Sequence, residues 1–338
     1  MKLLHLATKE PGRLLPPEFR SALAEFGPLE IVTHAGEFPE SERIERIRNC
    51  EVLLTGWGSC PVPAALAEEP GRLRYICHLT GSLAGSVPEA IIRSPIPVTN
   101  WGDAPANGVA EAAVTLLLAG LKNLHWHIHA KERGEWLPPP PVHACSGTLE
   151  RLRLGIYGAG SIGLRFIELC RPFGPRMRLF DPYLPEPPPG VERVADLESL
   201  FEGSDAIVIH AALTPETRNS VTAALLARLP DGAVIVNTAR GDIIDQPALF
   251  AELERGRLRA ALDVLAESDF LPPDAPARHW PNLLLTGHKA ANGEWRPRPE
   301  DAHLLSSAQW AAIENLRRFR DGEPLRFRMD PERFARSI

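Results

Sequence analysis

The segment Gly158-Ala159-Gly160-Ser161-Ile162-Gly163 constrains this chain more than any other stretch. It follows an apolar run, Leu152 to Tyr157, and opens a second apolar-periodic segment, Ser161 to Cys170. Another short apolar run, Met177 to Phe180, leads into Asp181, at the spacing of about 20 residues that a dinucleotide fingerprint requires. Strand, glycine turn, helix, strand and acid come in the order such a site needs. The first glycine makes the tight turn, and the second lets backbone approach a pyrophosphate. The third lets helix pack on strand, with the pyrophosphate at the helix N-terminus. Asp181 would accept hydrogen bonds from ribose hydroxyls, and its charge disfavours a 2′-phosphate. The expected cofactor is therefore NAD rather than NADP.

The 338 residues exceed one ordinary core and point to about two domains. A net charge of -6, with no basic run, argues against nucleic acid as a partner. No segment reaches the length of a membrane span, and the apolar run at Leu3 to Ala7 is too short for a signal peptide. Cys50, Cys60, Cys77, Cys145 and Cys170 are scattered without a Cys-x-x-Cys spacing, which reads as buried thiols in a reducing compartment, the cytoplasm.

Two alternations of strand and helix follow one another. In the first, Leu3 to Ala7, Leu29 to Thr33, Glu51 to Leu54, Arg74 to Cys77 and Val98-Thr99 read as strands. Pro17 to Phe26, Glu40 to Arg48, Pro63 to Glu68 and Pro88 to Ile92 read as the helices between them. Ala106 to Lys122 has the three- and four-residue apolar spacing of a strong helix, and the run Pro138 to Pro141 stops any helix that reaches it. The second alternation has six strands: Leu152 to Tyr157, Met177 to Phe180, Ala206 to His210, Ala233 to Asn237, Ala260 to Val264 and Leu283 to Thr286. Its helices are expected to start near Ser161, Asp196, Pro215 and Gln246, and a final helix to cover Asp301 to Arg320. Strands alternating with helices imply parallel sheets, so the fold class is α/β with two doubly wound domains.

Three clusters follow strand ends, where open α/β sheets place ligands. In Asn237-Thr238-Ala239-Arg240-Gly241, the arginine offers a planar fork that can hold a carboxylate in two bonds. The bland alternative is an Arg paired with a nearby acid. Leu262-Asp263-Val264 precedes Glu267 and Asp269. Leu285-Thr286-Gly287-His288 ends on a candidate general acid/base, because histidine titrates near working pH. Here the bland alternative is a satisfied structural histidine.

The order glycine turn, Asp181, His210-Ala-Ala-Leu-Thr-Pro-Glu-Thr, Asn237-Thr-Ala-Arg-Gly, Leu262-Asp-Val, Thr286-Gly-His resembles the D-isomer-specific 2-hydroxyacid dehydrogenases, of the short type without a C-terminal regulatory domain. The similarity extends to Arg74 to Ser82, Val109-Ala110-Glu111 and Glu314 to Phe319. It implies a Rossmann cofactor domain, 103–289, inserted into a flavodoxin-like substrate domain, 1–102 plus 290–338. It implies interconversion of a small 2-hydroxy acid and its 2-oxo acid, in a homodimer. Arg240 would bind the substrate carboxylate and carbonyl, His288 would exchange the hydroxyl proton, and Asp263 would contact the nicotinamide carboxamide. Backbone N–H groups of Thr80-Gly81-Ser82 would hold the carboxylate. Gly158, Gly160, Ser161, Ile162, Gly163, Asp181, His210, Thr238 and Ala239 would line the cofactor.

The chain departs from that family's pattern around the site. The usual acid partner of the histidine is a Glu followed by Pro, and Ser268 stands at its position. Asp269-Phe270 is the better match and Glu267 the competitor. Gly287 replaces the usual Pro before the histidine, and Glu294-Trp295-Arg296-Pro297-Arg298 stands where relatives carry small residues. An NAD-responsive regulator on the same scaffold is the alternative that the irregular Glu267/Asp269 loop motivates, and an oxidoreductase of another small acid is a third. His125 and His129 could share a helix face as a metal pair, but no third ligand is apparent and no metal is expected. Trp57, Trp101 and His78 lie near strand ends of the first half and are candidates for substrate contact.

Overall fold

The computed structural model describes residues 1–136, 147–291 and 305–335. Cys145, the run Pro138 to Pro141, the segment Glu294 to Arg298 and the first residues of the expected final helix lie outside them. The chain divides into two compact units, Met1–Pro105 with Glu294–Ile338, and Ala106–Gly293.

The first unit carries strands β1 (Leu3–Leu6), β2 (Leu29–Val32), β3 (Val52–Thr55), β4 (Tyr75–His78) and β5 (Val98–Thr99). Every pairing among them is parallel, in the order β2-β1-β3-β4-β5, which is the flavodoxin-like order. Strands β1, β3 and β4 are buried along their whole length, as expected of a parallel sheet covered on both faces. Alternation sorts their side chains. Leu53 and Ile76 enter one core, with Leu66 and Ile91. Val52, Leu54, Tyr75 and Cys77 enter the other, with Phe19 and Leu316. Truncating a fully buried member such as Leu54 to Ala would cost about 2–5 kcal/mol.

The second unit has seven strands: β6 (Arg153–Tyr157), β7 (Arg176–Phe180), β8 (Val191–Arg193), β9 (Ala206–Ile209), β10 (Val234–Asn237), β11 (Arg259–Leu262) and β12 (Leu283–Leu285). Their order is β12-β11-β10-β9-β6-β7-β8, all parallel. Read from β6 outward, this is the Rossmann order with one further strand, and the switch point falls between β6 and β9.

The strand β8 escapes the sequence reading because only Val191 is buried, with Glu192 and Arg193 exposed at the sheet edge. The helix expected near Pro215 is a turn instead, closed by Thr217 Oγ1 donating to the Ala212 carbonyl. The helix itself begins at Ala223 behind its cap Thr222. A helix at Leu124–Glu132 carries too little apolar periodicity to be read from sequence. Asn123, in the left-handed region at φ 53°, separates it from the helix Ala106–Leu121. The helix expected last begins at Ser307, held by a capping box between Ser306 and Gln309, and ends at Asp321; a further short helix, Pro331–Ala335, follows it.

Candidate functional site

In the first unit, the loops leaving β3, β4 and β5 carry the candidates. His78 ends β4 and is buried. Its Nε2 lies 3.0 Å from the Ser82 carbonyl, which can only accept, so Nε2 carries the proton. Thr80 Oγ1, 2.8 Å away, shares that proton. Nδ1 is then left to accept the Thr55 hydroxyl at 2.9 Å. Burial pushes the His78 pKa down to about 4. Both nitrogens are therefore spent inside the protein. His78 braces the Thr80-Gly81-Ser82 loop from below and does not offer a nitrogen to a ligand.

In the second unit, the glycine turn has the geometry its sequence demands. Gly158 sits at φ +93°, and a Cβ there would lie 2.5 Å from the Ala211 nitrogen. A Cβ on Gly163 would lie 2.3 Å from the Gly158 carbonyl oxygen, so helix and strand touch there. Gly160 is different, with open space where its Cβ would project. It is also the N-cap of the helix Ser161–Cys170, and no side chain caps that end. The first-turn N–H groups thus face room for an anion. Asp181 is tied to the turn, with Oδ2 accepting the Ala159 N–H at 2.7 Å and Oδ1 accepting those of Tyr183 and Leu184. A hollow of about 310 Å³ opens beside it, lined by Phe180, Asp181, Pro182, Arg193, Val194 and Ala195.

His210 packs its ring 4.9 Å from that of Phe166, below the same turn. Its two nitrogens are shut from solvent with no partner among the described residues, and burial pushes its pKa down to about 3. The ring therefore supports the turn by shape. Thr238 Oγ1, after β10, is also buried with no partner among the described residues. A polar atom left so at a strand end fits a dinucleotide that would supply its hydrogen bond. Open room at Gly160, an uncapped helix start and Asp181 complete that fit.

Arg240 is exposed, and no acid pairs with it among the described residues. Its turn is fixed by Asn237, whose Nδ2 donates to the Arg240 carbonyl at 2.9 Å and whose Oδ1 accepts the Ala239 N–H at 2.9 Å. Gly241 lets this turn pass against the chain after β11, since a Cβ there would lie 1.9 Å from the Leu265 carbonyl carbon.

The next loop brings Asp269 to His288, with Oδ2 2.8 Å from Nδ1. Oδ1 of the same carboxylate accepts the Leu265 N–H at 2.7 Å. Glu267 is exposed and has no partner among the described residues. Glu267, Asp269, Gly287 and His288 all adopt positive φ. Three non-glycine residues in that region mark a loop held against local preference. Asp263 is buried, and its Oδ1 accepts the Thr286 hydroxyl at 2.6 Å and the N–H groups of Lys289 and Ala290 at 2.9 and 3.0 Å. The carboxylate thereby shapes the segment that presents His288.

Asn237, Thr286 and Gln246, whose Oε1 accepts the Ala266 N–H at 2.8 Å, are supports the sequence reading does not single out. Only Asn237 carries a signal, as a turn former at a strand end. His125 and His129 face each other with Nε2 atoms 2.9 Å apart, one ring donating to the other. No group of three metal-ligating side chains occurs among the described residues, and no helix among them is long and apolar enough to cross a membrane.

Comparison with known proteins places this geometry in a family. Residues 114–290 match the model of "D-isomer specific 2-hydroxyacid dehydrogenase, NAD binding domain". Hydroxypyruvate reductase of Thermotoga maritima is 38% identical over 269 residues, covering 78% of this chain and 85% of that protein. D-3-phosphoglycerate dehydrogenase of Methanocaldococcus jannaschii is 32% identical over 276 residues, 80% of this chain, and the chain spans about half (51%) of that protein's length. Among solved structures, the TT0316 protein of Thermus thermophilus superposes with a TM-score of 0.74 at 28% identity, over 97% of this chain and 100% of that one. The chain belongs to the D-isomer-specific 2-hydroxyacid dehydrogenases, NAD-binding oxidoreductases built from two parallel-sheet α/β domains.

Proposed function

We propose that this chain interconverts a small D-2-hydroxy acid and its 2-oxo acid with NAD, using Arg240, His288 and Asp269. The observation that carries the reading is the Asp269–His288 pair at 2.8 Å, together with an Arg240 that no acid neutralises among the described residues. The nicotinamide supplies or accepts the hydride when bound. Asp269 takes Nδ1, which leaves Nε2 of His288 to give a proton to the C2 oxygen during reduction and to remove it during oxidation. Arg240 would hold the carboxylate and polarise the C2 carbonyl through its fork. In the first unit, the N–H groups of Thr80, Gly81 and Ser82 are the candidates for holding a carboxylate. Ser161, Ile162 and the three glycines would carry the pyrophosphate, and Asp181 the ribose hydroxyls. Thr238, Ala239 and Asp263 Oδ2 would face the nicotinamide. The negative charge of Asp181 supports NAD over NADP.

In this reading Ala106–Gly293 is the cofactor domain and the other unit the substrate domain. A homodimer is supported by Leu124, Ile128 and Trp136, large apolar side chains left exposed on the second unit. The buried thiols of Cys50, Cys60, Cys77 and Cys170 support a cytoplasmic location. The test is a panel of 2-oxo acids with NADH, followed by loss of nicotinamide absorbance. Turnover on at least one acid is expected. Tight NADH binding without turnover on any acid would overturn the reading in favour of a regulatory protein.

A further inference from the structure

We propose that Gln246 is a positioning residue for the proton exchange: its Oε1 holds the loop 265–269 in the shape that sets Asp269 against His288. The inference rests on the function proposed above and adds a residue to its machinery.

The loop follows β11 and has little of its own to stand on. Glu267, Ser268, Asp269 and Phe270 are exposed, and Glu267 and Asp269 hold left-handed backbone that non-glycine residues disfavour. Inside the loop, Asp269 Oδ1 accepts the Leu265 N–H at 2.7 Å, and the Ala266 carbonyl accepts the Ser268 N–H at 2.9 Å. These bonds curl the loop without tying it to another element. Among the described residues, two side chains from outside hydrogen-bond to residues 265–270. They are His288 at Asp269 Oδ2 and Gln246 at the Ala266 N–H, each at 2.8 Å. The histidine is the group to be placed, so Gln246 is the anchor.

Gln246 stands in a rigid place. It opens the helix Gln246–Glu254, whose N-cap Asp245 accepts the Ala248 N–H at 3.1 Å and whose next residue is Pro247. The Asp245 N–H is itself fixed to the Val221 carbonyl. A backbone N–H can only donate, so the Gln246 amide must present its oxygen to Ala266. The Leu265–Ala266 peptide also lies on Gly241, where a Cβ would fall 1.9 Å from the Leu265 carbonyl carbon and 2.2 Å from the Ala266 nitrogen. Gly241 and Gln246 thus hold one peptide, the glycine by allowing close approach and the amide by bonding its N–H. Asp269 hangs from the N–H of the peptide just before it. A shift at Ala266 would therefore pass to Leu265 and on to the carboxylate. Arg240 has its own support in Asn237, whose bonds to Ala239 and Arg240 do not involve the loop. Loosening Gln246 should move the acid/base pair and leave the guanidinium fork alone.

The test measures kcat, KM and NADH affinity with a 2-oxo acid that the unaltered chain turns over. The variants are Gln246→Leu, Gln246→Asn and Gln246→Glu, each alone and combined with Asp269→Asn. Leucine offers no acceptor, and asparagine is one methylene too short to reach the Ala266 N–H. Both should lower kcat about tenfold, within what a misplaced reacting group loses, with KM and NADH affinity held within about twofold. Glutamate keeps an oxygen at the same reach, at a helix N-terminus that favours its charge, and should retain most of the rate. In the Asp269→Asn background, the Leu and Asn changes should lower kcat by less than about twofold, because the carboxylate through which Gln246 acts is gone. A full loss that persists in that background, a kcat unmoved by both Leu and Asn, or a Gln246→Glu as slow as Gln246→Leu overturns the positioning role and leaves the dehydrogenase reading standing. Absence of turnover on every acid, with NADH binding intact, overturns both.

Discussion

The Asp269 carboxylate joins His288 to its own loop: Oδ2 lies 2.8 Å from His288 Nδ1, while Oδ1 accepts the Leu265 N–H at 2.7 Å. Glu267 and Asp269 both hold left-handed backbone in the loop that makes this contact. The bond occupies Nδ1 of the ring, so in the proposed reaction the proton exchange at the C2 oxygen would fall to Nε2.

Asp269→Asn should therefore lower kcat by about 100-fold, in the range seen when a positioned acid/base is lost. Glu267→Gln should change it little, since Glu267 is exposed and makes no hydrogen bond or ion pair among the described residues. Steady-state rates with NADH and a 2-oxo acid check this, and the reverse order of effects would assign the role to Glu267.

Arg240→Lys should raise KM for the acid and lower kcat/KM by about 100-fold. A lysine is a point charge and cannot reproduce a two-bonded fork on a carboxylate. NADH affinity, read by fluorescence titration, should stay the same. Loss of NADH binding in this variant would move Arg240 from the substrate to the cofactor.

Gly160→Ala and Gly163→Ala should separate binding from folding. The added methyl at Gly160 enters open space above the helix start, so the melting temperature should hold while NADH affinity falls at least about tenfold. At Gly163 the methyl would lie 2.3 Å from the Gly158 carbonyl oxygen, and melting itself should drop. Unchanged NADH affinity in Gly160→Ala would place the pyrophosphate elsewhere.

Stability should fall as the pH drops below neutrality. His5, His78 and His210 are each pushed below the usual histidine range by burial. Between the ordinary value of 6.5 and the lowered ones, about 4 for His78 and about 3 for His210, the unfolded chain binds protons that the folded chain refuses. The stabilisation is complete above that ordinary value and shrinks toward the folded values, by about 2 kcal/mol each for His78 and His210 at pH 5. Thermal melts from pH 7.5 to 5 should show the decline, and His78→Gln should flatten it. A slope unchanged in His78→Gln would mean that the ring is charged in the folded protein.

Much of this architecture is legible in the residues, for identifiable reasons. The glycine turn is readable because each glycine answers a separate steric demand, and β1, β3, β4, β9 and β10 because fully buried parallel strands are near-continuous apolar runs. The strand β8 is not, because an edge strand with one buried residue leaves no pattern. The partner of His288 stays open between Glu267 and Asp269 at the level of sequence, since side-chain reach depends on φ values that composition does not encode. His78 reads as a polar candidate at a strand end, and only the three hydrogen bonds around its ring turn it into a brace.

The way β5 is completed bears on how the chain is made. Met329 N–H donates to the Val98 carbonyl, Arg328 bridges Thr99, and Phe327 presses on Gly102. All three arrive only after the whole inserted unit has been synthesised. During translation the second unit can bury both faces of its sheet while the first still lacks the segment that seals its edge and the helix Ser307–Asp321 that covers Tyr75 and Leu54. The dinucleotide half of the molecule is thus ready before the other half, and a ribosome stalled short of Phe327 would hold a chain with its NAD-binding fold formed and the edge at β5 still open.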